Sequence, residues 1–263
     1  MFSWKVKDIN MADQIRLQKI NRLVRGGRPR VVDLFSGCGG ISLGFHQAKY
    51  QIIANVEIDQ FAAATHAFNF HKHEGPEREA LFAKTRDITK LEPDEMLREL
   101  YPDVAQPETL VDVIVGGPPC QAFARVGRAK LREIASHPEA FKVDPRGNLY
   151  LRYLHYVRSL RPLALLMENV PDVLNYGGHN VPQEMAGALE DEGYVCHYTL
   201  LNAVHYGVPE MRERLFLIAI ARELNVQPVF PEPTHWTELP NGYVNARKVA
   251  LQGLPAESNY VPA

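Results

Sequence analysis

A chain of 263 residues with 46% hydrophobic content can fill a core without disulfides or metals, as one large domain or one domain plus an appendage. Its 29 basic and 31 acidic residues leave a net charge of -2, so bulk charge gives no support for a frankly basic nucleic-acid-binding module. No apolar run reaches about 18 residues, and Met1-Phe2-Ser3-Trp4-Lys5 lacks an apolar signal core, so no membrane span is expected and a cytoplasmic location is.

Residues 11–24 read as an amphipathic helix with Ile15, Ile20, Leu23 and Val24 on its apolar side, broken by Gly26-Gly27. From Arg30 short apolar runs alternate with helical stretches. Strands are expected at 31–35, 51–57, 111–115 and 164–167, and helices at 41–48, 60–69, 150–160 and 183–192. Residues 194–201 and 215–221 read as late strands, a candidate hairpin pair. The polar segments 71–80 and 133–147 read as surface loops. After Arg222 the prolines Pro228, Pro231, Pro233, Pro240, Pro255 and Pro262 mark an extended tail. This order predicts an α/β fold, a doubly wound and mostly parallel sheet with right-handed crossovers and a late antiparallel strand pair. Three regions are expected: an N-terminal helical extension (1–29), a main domain (30–225) and a Pro-rich tail (226–263).

Phe35-Ser36-Gly37-Cys38-Gly39-Gly40 joins the first strand to its helix, and its glycines allow a sharp turn and close approach of a ligand. Glu57 ends the second strand, where a carboxylate can accept hydrogen bonds from two ribose hydroxyls. The pair suits any nucleoside-containing cofactor, NAD included, although Gly-x-Gly-Gly differs from the dinucleotide pattern G-x-G-x-x-G. Asp87 is either an acceptor for an adenine amino group or a plain loop and helix-cap carboxylate.

The cysteines Cys38, Cys120 and Cys196 form no CxxC pair, which argues against a disulfide framework and a zinc site. A lone cysteine is most often a small core residue. Cys120, however, follows a strand, Gly116-Gly117 and Pro118-Pro119, at the strand end where open parallel sheets bind ligands. Arg125 and Arg128 nearby would favour its thiolate. Glu168 and Asn169 end another strand, and a carboxyl there loses solvation unless it is paired. Arg212 and Arg214 alternate in extended chain and point the same way, towards a carbonyl oxygen or phosphate, or else towards Glu210 and Glu213 at the surface. The clusters Arg22, Arg25, Arg28, Arg30 and Arg125, Arg128, Lys130, Arg132 read as solvated surface or as phosphate contacts.

Taken in order, these segments resemble the cytosine-5 DNA methyltransferase family over residues 30–235. Asp33 to Gly40 looks like that family's motif I, Glu57 like the acid of motif II and Asp87 like motif III. Gly116 to Phe123 looks like the catalytic motif IV, Arg146-Gly147-Asn148-Leu149 like motif V, Glu168-Asn169-Val170 like motif VI and Tyr206 to Arg214 like motif VIII. The resemblance implies a Rossmann-like fold, S-adenosylmethionine as methyl donor and double-stranded DNA as partner, with a flipped target cytosine. It implies catalytic roles for Cys120 as nucleophile, protonated Glu168 at N3, Arg214 at O2, and Arg212 and Asn169 in support. It also implies a donor site formed by Phe35 (stacked on adenine), Ser36, Gly37, Gly39, Gly40, Glu57, Ile58, Asp87, Ile88, Gly117, Pro119 and Leu149, with no metal.

Two residues depart from the pattern: Ala124 stands where the family usually has serine, and Glu210 where it usually has glutamine. After Pro231-Glu232-Pro233-Thr234-His235 no target-recognition region and no motif IX or X is recognisable. The expectations are then a catalytic chain whose recognition region lies on a second polypeptide, a truncated piece, or a chain whose helix 11–24 stands in for the closing helix beside motif I. Two other functions stay open: a non-catalytic remnant that binds cofactor or a partner, and a tRNA cytosine-5 methyltransferase.

Overall fold

The computed structural model describes residues 11–119, 149–175, 180–237 and 261–262. Cys120 to Asn148 therefore lie outside the described residues, and with them the expected nucleophile, Arg125, Arg128, Lys130, Arg132, Ala124 and the loop 133–147.

Four parallel strands form one side of the sheet: β1 (Arg30–Leu34), β2 (Gln51–Val56), β3 (Val113–Gly116) and β4 (Ala164–Asn169). The antiparallel pair β5 (Tyr194–Asn202) and β6 (Glu213–Ala221) completes it in the order β2-β1-β3-β4-β6-β5. β1 and β3 are buried nearly throughout, as strands covered on both faces must be, and apart from Arg30 and Asp33 of β1 they carry no charged side chain. β6 alternates buried and half-buried residues along its whole length. The chain leaves β1 towards β2 on one side and returns to β3 on the other. That reversal opens a crevice beyond the carboxyl ends of β1 and β3.

Helices α2 (Gly40–Gln47), α3 (Gln60–His71), α4 (Pro76–Phe82), α5 (Pro93–Leu100), α6 (Leu149–Leu160) and α7 (Val181–Asp191) surround the sheet. The larger core cluster sets Val32, Leu34, Ile114, Leu165 and Met167 against α5, α6 and α7. The smaller sets Val31, Ile52, Phe70, Val113 and Val115 against Ile41 and Phe45 of α2. Segment 71–80 is not the expected loop: α3 runs to His71, a 3₁₀ turn spans Lys72–Glu74, and α4 starts at Pro76, a residue preset for the first helical turn. Helix α5, not expected from the sequence, begins with a capping box between Glu92 and Glu95.

Helix α1 (Met11–Val24) is present, but its buried side differs from expectation. Val24 is 82% exposed, whereas Arg16 and Lys19 are buried. Lys19 Nζ donates to the carbonyls of Leu160 (2.6 Å) and Arg161 (2.9 Å). Arg16 pairs with Glu223 at 2.8 Å and lies over the Tyr194 ring, and Arg22 pairs with Asp112. Asp112 and Arg161 precede β3 and β4, so α1 crosses the sheet at the end opposite the crevice. It does not stand beside the 35–40 turn, which removes it as a stand-in for a closing helix there.

Candidate active site

A cavity of about 640 Å³ opens at the crevice. One wall is the turn after β1: Phe35, Ser36, Gly37, Cys38, Gly40 and Ile41. The other holds Gly117, Glu168, Arg212, Arg214, Phe216 and Tyr206. The structure thus brings the expected donor turn and the expected base-handling residues into one space.

The turn is built for close approach. Phe35 has φ 60, a left-handed conformation that is costly for a bulky residue and found where function holds it. Gly39 has φ 97, and a Cβ there would lie 2.3 Å from the Phe70 ring. Glu57 fixes the turn: its Oε2 accepts from Gly37 N–H at 2.8 Å, and its Oε1 accepts from Ile58 and Asp59 N–H at 2.8 and 2.9 Å. Part of its acceptor capacity stays free for a ribose hydroxyl. Ile58 beside it is 67% exposed, an apolar platform open to a ring. Ser36 lines the cavity with a buried hydroxyl that has no partner among the described residues. An orphaned buried hydroxyl beside an open glycine turn fits the polar methionine end of S-adenosylmethionine.

Other expected donor residues lie away from this cavity. Asp87 Oδ1 accepts from the N–H and hydroxyl of Thr89 at 2.9 and 2.6 Å, and Lys90 stands 3.3 Å from Oδ2. Burial works to raise the Asp87 carboxyl, but these contacts outweigh it and hold it below its ordinary value. Asp87 here is a loop cap, joined to the donor side through Arg86 N–H, which bonds the Glu57 carbonyl at 2.7 Å. The Ile88 side chain is buried in the larger core cluster, and Leu149 packs partly buried against it. Pro119 is exposed at the end of the loop that leads to Cys120.

On the second wall Arg214 Nε lies 2.9 Å from Glu168 Oε1, both side chains about one-quarter exposed. The Glu168 carboxyl is therefore paired, as its place after a buried run requires. Gly117 allows it to sit there, since a Cβ on Gly117 would lie 2.9 Å from Glu168 Oε2. Arg212 is half exposed, 3.9 Å from Glu210, so the substituted acid at 210 does face an arginine. Asn169 does not line the cavity: buried, it donates from Nδ2 to the Pro118 carbonyl at 2.7 Å and to the Tyr150 hydroxyl. It braces the loop before Cys120.

Phe216, Leu201, Ala203 and Pro231 also line the cavity and are not expected from the sequence. Phe216 was legible in it, because 212, 214 and 216 alternate onto one face. Pro231 was not: it arrives from the tail, tied down by Tyr206 Oη to the Pro231 carbonyl (3.0 Å) and Thr234 N–H to the His205 carbonyl (2.9 Å).

The family model described as C-5 cytosine-specific DNA methylase matches residues 29–259. A candidate type II methyltransferase of Oceanobacillus iheyensis, M.OihORF3336P, is 40% identical over 79% of this chain and 43% of its own length. Type II methyltransferase M1.HphI of Haemophilus parahaemolyticus is 32% identical over 78% and 48%. The chain thus spans less than half of these relatives. Against M.AquIA of Picosynechococcus it is 31% identical over 78% of this chain and 77% of that one. Among solved structures, a candidate DNA modification methyltransferase from an E. coli prophage matches with TM-score 0.55 and 28% identity, over 78% of this chain and 52% of that chain. The S. pombe Dnmt2 methyltransferase has the same fold, with TM-score 0.54 and 22% identity, over 77% and 53%.

Proposed function

The chain belongs to the C-5 cytosine-specific DNA methylases, and we propose that it methylates C5 of a cytosine flipped out of double-stranded DNA, with Cys120 as nucleophile. The observation that carries the reading is the single cavity shared by the Phe35–Gly40 turn and the Glu168–Arg214 pair. The loop Gly117-Pro118-Pro119 leads from its rim to Cys120.

C5 of cytosine is a poor nucleophile, and in the duplex it is buried in the base stack. Addition of the Cys120 thiolate to C6 forms a C–S bond and makes C5 enamine-like. As the base enters and Arg214 turns from Glu168 to O2, Glu168 in its acid form donates to N3 and offsets the charge developing on the ring. Arg214 contacts O2, and Arg212 supports the same wall. S-adenosylmethionine, when bound, supplies an electrophilic methyl group on a sulfonium sulfur. Glu57 would hold its ribose, Ser36 and Gly37 its polar end, and Phe35 and Ile58 its adenine. Once C5 carries the methyl group, loss of its proton to a base restores the ring double bond and expels Cys120.

The test is transfer of labelled methyl groups to mixed-sequence DNA, by the chain alone and with the product of the adjoining gene. Transfer should depend on Cys120 and vanish in Cys120→Ser. A 5-fluorocytosine substrate should trap a Cys120-dependent adduct on DNA. No transfer under either condition would sink the reading in favour of a cofactor-binding remnant, and an adduct on tRNA but not DNA would replace the substrate.

A further inference from the structure

Beneath the donor turn, on the α2 side of the sheet, lies a buried polar chain that the proposed chemistry does not use. Asp33 Oδ2 stands 2.6 Å from Ser42 Oγ, which stands 3.0 Å from His66 Nε2, and all three side chains are buried. His66 in turn packs on the turn itself: its Cδ2 would lie 3.0 Å from a Cβ on Gly39, beside the Phe70 ring. Resting on the donor-site reading above, we infer that Asp33 is a positioning residue for the donor turn, acting through Ser42 and His66 on Gly39, and that proton uptake by this chain loosens the site.

Ser42 has one hydroxyl hydrogen. When Asp33 is ionised, that hydrogen goes to Asp33, and His66 must donate from Nε2 to Ser42 Oγ. Nδ1 is then bare, in keeping with its lack of a partner among the described residues. When Asp33 takes up one proton the direction turns over. Asp33 donates to Ser42, Ser42 donates to Nε2, and the ring carries its proton on Nδ1, a buried donor without a described acceptor. Burial pushes the Asp33 carboxyl up to about 7 against the Ser42 hydrogen bonds, and Glu57 adds to the rise. Burial, followed by His71, holds His66 down at about 3, so its ring stays neutral throughout. Among the described residues, the other titratable groups facing the chain are Glu57 after β2, Tyr153 on α6, and His71 with His73, Glu74 and Arg78 behind it.

Calorimetry with S-adenosylmethionine and S-adenosylhomocysteine, and ¹⁵N NMR of His66 in the unliganded chain, test the inference. Wild-type affinity should fall about tenfold from about pH 8 to about pH 6. Asp33→Asn, equal in shape but not titrating, should flatten that profile, and Ser42→Ala should bind more weakly throughout. His66 should carry its proton on Nε2 at the alkaline end and on Nδ1 at the acid end, a readout that needs no variant to fold. A pH profile unchanged in Asp33→Asn, or one His66 tautomer across the range, overturns the inference. If Glu57→Ala nevertheless weakens binding in those experiments, the donor-site reading stands without the relay. A wild-type chain that binds neither ligand at any pH overturns the donor-site reading, and the relay's assignment to the donor with it.

Discussion

Asn169 Nδ2 donates to the carbonyl of Pro118 at 2.7 Å, tying the end of β4 to the loop before Cys120. The same amide reaches the Tyr150 hydroxyl, and Asn169 Oδ1 accepts from Val170 N–H at 2.8 Å. One buried side chain thus fixes strand, loop and helix α6 together. Asn169→Ala should leave the Pro118 carbonyl with only the long bond from the Tyr150 hydroxyl (3.5 Å) and cost about 1–3 kcal/mol of stability. With the loop loosened, the rate of methyl transfer should fall about tenfold or more while donor affinity stays near wild type. Urea unfolding and single-turnover kinetics read the two effects separately. Weakened donor binding with an unchanged rate would place Asn169 in the donor site instead.

The pairing of Glu168 with Arg214 predicts similar losses from its two halves, by different routes. Glu168→Gln keeps the shape but has no acid proton for N3, and the transfer rate should fall about 10²–10³-fold. Arg214→Ala leaves Glu168 without its partner and should lower the rate by a similar factor. Removing both should cost less than the sum, because the two act as a unit. A double-mutant cycle on the single-turnover rate measures this, and strict additivity would separate the two roles.

The central sheet was legible because its strands are short, continuous, β-branched runs that a two-sided burial demands, as in Val31-Val32 or Val113-Ile114-Val115. Phe35, Glu168 and Arg214 were legible as residues at strand ends, where an open sheet exposes chemistry. Helix α1 was legible as a helix but not by its buried side. Apolar periodicity pointed to Ile15, Ile20, Leu23 and Val24, yet the helix lies against free carbonyls at the end of α6, which select cations. Asp87 shows the same limit. Its bonds to Thr89 and Lys90 cannot be told from the residue types around it.

Lys19 carries a prediction of its own. Burial lowers its amine from 10.5 to about 7, against the pull of Asp112. Between these values the unfolded chain holds the proton more firmly than the folded one, so this residue's contribution to stability rises with pH. Lys19→Met keeps the stem and should remove that rise, while losing the bonds to Leu160 and Arg161. Unfolding free energies of the two proteins should therefore diverge from neutral to alkaline pH, the wild type gaining on the order of 1–4 kcal/mol relative to the variant. Parallel curves would show that Lys19 does not change its proton affinity on folding.

Asp33 and His66 make opposite demands on the same pH range. The Asp33 carboxyl is raised from 3.8 to about 7 by burial, so between these values the folded state holds more protons and stability falls as pH rises. His66 is lowered from 6.5 to about 3 by burial, so between those values the unfolded state holds more protons and stability rises with pH. Across their shared window, about pH 4 to about pH 6.5, the two slopes offset each other. Asp33→Asn should expose the His66 slope, giving a protein that loses stability in acid more steeply than wild type. His66→Phe should expose the Asp33 slope and make the protein more stable at about pH 4 than at about pH 7. Each change in slope should amount to on the order of 2–4 kcal/mol across the window. Urea titrations at several pH values read it directly, and the two variants shifting in the same direction would contradict the assignment of these protons.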